Sequence, residues 1–376
     1  MKIKVKRSDV MSIRANLGHV SEYRTIRVPT EILRNMALTI GRHLNVRTKD
    51  NSVISLYIEN TLDQDSQDDK DCVFVTNEIY NSIYLENQEC QVSLINGITL
   101  GCDPELILID RNSLDIAKAN CIFNKYGMIG SDGWLLELRP LPSTSDEMVV
   151  ANLKSLIKNA AEKISCSKLY RNESLMIAAA SAYKGLTAGF HLHFGLPKEL
   201  LNKNVAYLIP GMLRVLDYYV GIPSIIPEGE IDTYRRTTPY VSYGKPSTFR
   251  IDNRTLEYRV PGGTLMRHPK LARGIISLGA AVMEDLVSRI KYCTDDFKDM
   301  NGKDRIAELY PNIPSGMDLI NIICNANIGP AIKHMESVMK DVKSMVSFNS
   351  RSCGISTFFK ILENGTNFSP DAEKNW

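Results

Sequence analysis

The sequence predicts an α+β fold: a sheet with one polar and one apolar face, helices packed with it, and a small β-rich domain in front. Three observations predict it. Four separate strand-like segments each carry an ionisable pair at i, i+2, with apolar residues at the intervening positions wherever these can be read. Stretches of helical periodicity lie between and after those strands. Residues 24–95 have a different texture, with short strand-like runs broken by turn residues.

Taken in order, "RTIRVPTEILRNMALTIGRHLNVRT" reads as strand, short helix, strand, and "NSVISLYIEN" alternates as a strand does. "TLDQDSQDDKDC" is an acidic, solvated loop. "VFVTNEIYNSIYL" repeats the strand-then-helix order of "TIRVPTEILRNM", an internal echo that suggests a pseudo-duplicated small barrel. From residue 96 the strand candidates are "GITLGCDPELILID", "WLLELRPL", "AGFHLHFGLP" and "RTLEYRVPGG". "SDEMVVANLKSLIKNAAEKI" opens with a serine cap and acids in its first turn. "LNKNVAYLIPGMLRVLDYYVG" is expected to be helical, interrupted or kinked near Pro210. "HPKLARGIISLGAAVMEDLVSRIKYC" is a long amphipathic helix, and "MDLINIICNANIGPAIKHMESVMKDVKSMV" gives one or two more. The expected organisation is a β-rich domain over 1–95, a larger domain over 96–348 and a loosely ordered tail over 349–376.

Chemistry concentrates on the strands. Side chains at i and i+2 of a strand share a face. "GFHLHFG" therefore sets His191 and His193 together, opposite Phe190, Leu192 and Phe194. "LLELRP" pairs Glu137 with Arg139, and "TLEYRV" pairs Glu257 with Arg259. "GCDPEL" places Asp103 and Glu105 at the head of an apolar run, where Pro104 points to a strand start or edge. Each pair alone reads more simply as a solvated strand face. Four of them on one sheet would crowd carboxylates that repel one another unless a cation sits among them. Oxygen-rich ligands with one imidazole suit Mg²⁺ or Mn²⁺ better than structural zinc. The loop-like segment before the last strand brings Arg235, Arg236, Lys245, Arg250, Arg254 and Arg259 into a short span, a set able to clamp phosphate. Glu228 and Glu230 read as a plain surface loop, and His19, His43, His268 and His334 carry no supporting motif.

The bulk numbers exclude several classes. With 45 basic against 43 acidic residues there is no polyanion footprint, so no nucleic-acid partner is expected. "MKIKVKRSDV" is basic without a following apolar segment, and the apolar run around "LMIAAASAY" is far too short to span a bilayer. Cys72, Cys90, Cys102, Cys121, Cys166, Cys293, Cys324 and Cys353 form no CxxC, which reads as reduced thiols in a cytoplasm rather than a zinc site or a disulfide framework. No GxxxxGK[ST] motif is present.

At "GCDPEL", "GSDGWLLELRP", "GFHLHFG" and "YGKPSTFRIDNRTLEYRVPGG" the chain resembles the carboxylate–amine ligases of the glutamine synthetase and glutamate–cysteine ligase superfamily, most closely the branch found in bacteriophages and some Firmicutes. The resemblance covers residues 96–290, with the motifs in the family's order. Residues 24–95 resemble the small barrel that precedes some bacterial ATP-grasp ligases. The resemblance implies a curved antiparallel sheet with helices on its outer face and a concave face that binds ATP and two or three divalent cations. It implies Glu105, Glu137, His191 and Glu257 as metal ligands. His193, Lys245 and Arg235 or Arg236 would approach the nucleotide phosphates, and Arg250 and Arg259 would stabilise the transferred phosphoryl group. Asp103 departs from the glutamate common in relatives. The implied partners are a carboxylate and an amine acceptor, and related enzymes are often oligomeric. Two other readings compete. One is a non-catalytic relative kept as a binding or virion-associated module. The other is a metal-dependent amidohydrolase built on the HxH pair, disfavoured by the scarcity of further histidines.

Overall fold

The computed structural model describes residues 2–7, 25–29, 43–47, 49, 53–60, 72–75, 80–81, 83, 85–94, 98–167, 175–196, 208–252, 255–292, 306 and 308–376. The chain forms two compact units, Met1–Thr99 with Leu141–Asn152, and Leu100–Pro140 with Leu153–Trp376.

In the first unit β1 (Lys2–Arg7), β2 (Thr25–Val28), β3 (His43–Arg47), β4 (Val53–Asn60), β5 (Cys72–Val75) and β6 (Glu89–Leu94) close into a barrel in the order β1-β5-β2-β4-β3-β6. Closure leaves no unpaired strand edge. Exchanging β1–β3 for β4–β6 leaves the set of pairings unchanged. The parallel pair β1–β5 answers β4–β2, and the antiparallel pair β1–β6 answers β4–β3. The sequence echo marks this pseudo-twofold. β2 and β5 lie side by side, with Ile26 opposite Val75 and Arg27 opposite Phe74. Ile26, Val28, Val46, Leu56 and Val73 are fully buried and supply the interior. The helix expected after β2 and the acidic loop before β5 lie outside the described residues.

The second unit is built on β7 (Thr99–Asp110), β8 (Ile116–Ala117), β9 (Ile129–Asp132), β10 (Leu135–Leu138), β11 (Leu175–Ala178), β14 (Phe190–Gly195), β15 (Phe249–Asp252) and β16 (Thr255–Tyr258). They form one open antiparallel sheet in the order β15-β16-β14-β7-β10-β9, with β8 and β11 also paired to β7. A hairpin of β12 (Ala182–Tyr183) and β13 (Leu186–Thr187) precedes β14. All four strands that carry ionisable pairs are thus consecutive in one sheet. Pro104 is not at a strand start, because β7 begins at Thr99 and is central. Its missing N–H is tolerated because the register with β10 covers Glu105 and Leu106 and does not extend to the proline. The run Leu106–Ile109 is buried throughout, as an apolar run in a central strand should be.

The helices are α1 (Asp146–Ser165), α2 (Ile209–Leu216), α3 (Ile222–Ile225), α4 (Tyr234–Thr237), α5 (Pro269–Tyr292), α6 (Gly316–Cys324), α7 (Ile328–Lys343), α8 (Phe348–Asn364) and α9 (Ala372–Asn375). Ser145 Oγ accepts from Met148 N at the head of α1, with Asp146 and Glu147 in its first turn. Pro210 sits in the first turn of α2, where its missing N–H costs nothing; residues 201–207 before it lie outside the described residues, and the irregularity within the described helical stretch is a π turn at Asp217–Gly221. α5 packs on the apolar face of β14, where Gly279 lets the helix meet Leu192 and Phe194 closely. α8 packs on α5 the same way, Gly274 against Phe358 and Gly354 against Ser277.

The expected loose tail is therefore not one. Ile355, Phe358 and Phe359 are buried, Asp371 is buried against Arg111 (2.6 Å), and Trp376 Nε1 donates to Met266 O. Local Gly, Asn and Pro content missed this because the ordering comes from packing on α5. Among the described residues no helix is long and apolar enough to cross a membrane, and Cys72, Cys102, Cys121, Cys166, Cys324 and Cys353 are free thiols.

Candidate active site

The strand registers assemble the site. Glu105 on β7 is directly opposite Glu137 on β10. His193 on β14 is opposite Glu257 on β16, which is in turn opposite Arg250 on β15. Directly opposed side chains share a face, so three rows of pairs converge from five adjacent strands. Asp103, two residues before Glu105, lies at the centre. Its Oδ1 is 3.2 Å from His191 Nδ1 and 3.1 Å from His193 Nε2. His191 Nδ1 is also 3.5 Å from Glu257 Oε1. Glu257 sits between two guanidiniums, with Arg250 Nε 2.6 Å from Oε2 and Arg259 Nε 2.9 Å from Oε1. Glu105 Oε2 accepts from Gly189 N at 2.6 Å, and Glu137 is paired with Arg139.

Burial sets the electrostatics. Desolvation pushes Asp103 up, but hydrogen bonding and charge from His191 and His193 outweigh it and hold the carboxylate well below its usual range. Burial raises Glu105, with His191 and the Gly189 N–H pulling against it. Burial also raises Glu137 to about 7, with Asp103 and Glu105 adding to the rise against Arg139. Desolvation lowers His193, yet Asp103 and Glu257 leave it raised overall.

The sequence-predicted residues divide into those brought together and those held apart. Asp103, Glu105, Glu137, His191, His193, Arg250, Glu257 and Arg259 share the sheet face. Arg236 does not face it. Fully buried, it grips both oxygens of Glu228 (2.7 and 2.8 Å) and donates to the carbonyls of Gly244 and Val260. Its expected phosphate role gives way to a structural one, and the surface-loop reading of Glu228 is overturned with it. Arg235 is likewise fully buried and donates to the carbonyls of Val260 and Arg259. Burial lowers its pKa to about 10, with Arg236 alongside. Lys245 donates to Thr238 O at 3.1 Å. The two histidines differ in how open they are. His191 is 2% exposed, and its Nε2 is so close to the backbone of Gly189 that a Cβ there would collide with it. His193 is the more open of the two, its side chain 26% exposed.

One contact is made by a residue that the sequence analysis gave no role, although it opens the "YGKPSTFRIDNRTLEYRVPGG" stretch. The ring of Tyr243 lies under the Arg259 guanidinium, 4.0 Å from centroid to carbon, and 6.0 Å from the His191 ring.

The donor set fits a cation. One ligand atom each of Asp103, His193 and Glu257 lies within 4.8 Å of the others. Asp103 Oδ1, His191 Nε2, His193 Nε2 and Glu257 Oε1 are buried without a hydrogen-bond partner of good geometry. Four such atoms in one place are costly in a purely structural sheet. Two carboxylates with an imidazole, and two further carboxylates, Glu105 on the strand of Asp103 and Glu137 on β10 beside it, match the preference of Mg²⁺ and Mn²⁺ for oxygen.

A sheet with this face, backed by helices, has the plan expected of a carboxylate–amine ligase. The family model for the Phage phiEco32-like COOH.NH2 ligase-type 2 matches residues 100–299, just over half of the 376-residue chain, and the chain belongs to that family. The solved structures it resembles include a bifunctional glutathione synthetase from Pasteurella multocida, at 13% identity and a TM-score of 0.39, covering 74% of this chain and 51% of that one. This chain thus spans about half the length of that relative. Others are a GmaS/ADP complex, at 13% identity and TM-score 0.35 over 69% of this chain and 73% of that one, and a novel glutamine synthase homolog, at 12% identity and TM-score 0.35 over 73% and 69%. No curated protein matches the chain in sequence.

Proposed function

We propose that this protein is an ATP-dependent carboxylate–amine ligase, working in a cytoplasm, that forms an amide bond through an acyl phosphate with the help of Mg²⁺ or Mn²⁺. The observation that carries the reading is the buried cluster of Asp103, His191, His193 and Glu257, with polar atoms that lack a well-aligned hydrogen bond, flanked by Arg250 and Arg259, in a chain of this family.

A carboxylate is a poor electrophile at neutral pH. One of its oxygens attacks the γ-phosphorus of ATP, the bond to the β-phosphate oxygen breaks, and ADP leaves. The amine nitrogen then attacks the acyl carbon, the C–O bond to phosphate breaks, and inorganic phosphate departs with the electron pair. The extra ammonium proton goes to solvent. No enzyme nucleophile is needed, so the protein's work is positioning and charge neutralisation. Asp103, His193 and Glu257 would hold one cation, with Glu105 and Glu137 offering carboxylates for another. A bound cation would offset charge on the phosphates. Arg250 and Arg259, both oriented by Glu257, present forks suited to the equatorial oxygens in flight. His191, held between Asp103 and Glu257, keeps the carboxylates in place rather than reaching the nucleotide. Residues 1–95 would serve as a domain that presents the substrate or a partner.

The test is ADP release from Mg²⁺–ATP with pooled carboxylates and amines, wild type beside Glu257→Ala. ADP formed by the wild type alone, and only with a carboxylate present, supports the ligase. Absence of both turnover and nucleotide binding in the wild type rules it out in favour of a non-catalytic relative.

A further inference from the structure

The loop between α4 and β15 is wrapped around Arg259, the residue that follows β16. Gly244 N donates to Arg259 O (3.2 Å), and Arg259 N donates to Thr248 O (3.0 Å). Arg235 Nη2 donates to the same Arg259 carbonyl at 3.0 Å. Only glycine serves at 244, where φ is +79° and a Cβ would strike the Arg235 guanidinium. The loop is also pinned from the helical side. Ser247 donates to Asp217 through both its N (3.0 Å) and its Oγ (2.8 Å), and Tyr258 Oη, next to Arg259 in sequence, donates to the same carboxylate at 2.8 Å. The backbone of Arg259 is therefore fixed from both directions.

Its side chain needs a separate explanation. Glu257 is shared between Arg259 and Arg250, one oxygen to each Nε, so a single contact ties the Arg259 head to the carboxylate. One such contact fixes a point and leaves the plane of the guanidinium free to turn. The Tyr243 ring supplies the missing constraint. A guanidinium whose carbon is 4.0 Å from the ring centroid is attracted to the ring's negative face, and that attraction depends on orientation. The same ring abuts His191, which touches Asp103 and Glu257. Tyr243 thus borders Arg259 and His191, both of which contact Glu257.

We propose that Tyr243 is a positioning residue, whose ring face fixes the plane of the Arg259 guanidinium beside the Asp103–His193–Glu257 cluster. The chemical consequence, a fork held ready for phosphoryl oxygens, rests on the ligase reading. The positioning does not.

Two readouts test it on the full chain. The first is the Nε–Hε resonance of Arg259 in protein labelled with ¹⁵N-arginine, assigned by its loss in Arg259→Lys. A ring face this close shifts that resonance upfield. Tyr243→Phe should keep the shift, and Tyr243→Leu, matched in thermal unfolding, should lose it. The second is ADP release. A misplacement of about 1 Å can cost on the order of 10²-fold. Tyr243→Leu should thus lower kcat by at least about tenfold while KM for ATP moves less, and Tyr243→Phe should restore most of the rate. In an Arg259→Lys background the leucine substitution should add no further loss, because the ring acts only through Arg259. An Arg259 resonance unmoved by Tyr243→Leu, or an equal rate loss in both backgrounds, overturns the positioning. A ring-dependent shift in a wild type that releases no ADP with any carboxylate supports the positioning and counts against the ligase reading alone.

Discussion

Asp103 carries more of the site than its neighbours. It is the one carboxylate within 3.2 Å of both histidines, and they hold it ionised despite its burial. An ionised, desolvated carboxylate with an oxygen lacking a well-aligned donor is a strong cation ligand. Removing it should cost cation affinity directly. Mn²⁺ titration followed by electron paramagnetic resonance should show Asp103→Ala and His193→Ala each weakening binding by more than His191→Ala does. His191→Ala, acting through Asp103 and Glu257, should fall within the 10- to 100-fold range of outer-sphere partners. A His191→Ala loss larger than that of His193→Ala would return His191 to the ligand role the family resemblance implied. At this scale the sequence showed the paired positions because the two-residue period of a strand is rigid. It did not show which histidine is open, since that depends on how close Gly189 comes to His191. Nor did it show Arg236 turning away to Glu228, eight residues back, because that pair forms only when α4 folds over. Tyr243 had no period to betray it, lying in a loop whose course is set by hydrogen bonds to Arg259, just past the end of β16.

Among elements, the π turn at Asp217–Gly221 is the least expected and the most connected. It places Asp217, 1% exposed, where Ser247 and Tyr258 both reach it, and so ties the helical layer to the loop around Arg259. Burial lifts the Asp217 carboxyl to about 6, against the lowering effect of Ser247 and Tyr258. The folded state therefore holds this proton more tightly than the unfolded chain. The group's contribution to stability is fully present below about pH 4 and is lost as pH rises through 6. A shift of about two units corresponds to roughly 3 kcal/mol. Thermal unfolding of Asp217→Asn and wild type should therefore diverge in the variant's favour between pH 4 and pH 7, on top of any constant offset from the altered hydrogen bonds. Parallel curves across that range would mean the carboxyl is ionised throughout. The elements themselves were mostly legible: α5 from its periodicity, α1 from its serine cap, β14 from alternation. The π turn was not, because the proline upstream offered a simpler break and only packing selects the wider turn. α8 was missed for a related reason. Its burial against α5 depends on Gly274 and Gly354, whose spacing means nothing until the two helices meet.

At the scale of the molecule, every residue proposed to hold a cation or a phosphate lies in the unit Leu100–Pro140 with Leu153–Trp376. The barrel contributes none of them. Its pseudo-twofold, legible in the echo of "TIRV" and "VFV", is a complete closed structure with its own buried interior. A chain that needed only ATP and two small substrates would have no chemical use for it, so its role is expected on the acceptor side. Removal of residues 1–95 should leave Mg²⁺–ATP affinity within about threefold of the full chain, since no phosphate-facing group is lost. The KM for the amine acceptor should rise by at least about tenfold, the loss expected when about 1.4 kcal/mol of binding is removed. Nucleotide binding by calorimetry and acceptor kinetics by ADP release read the two separately. Acceptor kinetics unchanged by the deletion would leave the barrel without a part in the reaction. Loss of nucleotide binding along with acceptor use would mean that the barrel sustains the sheet rather than presenting a substrate to it.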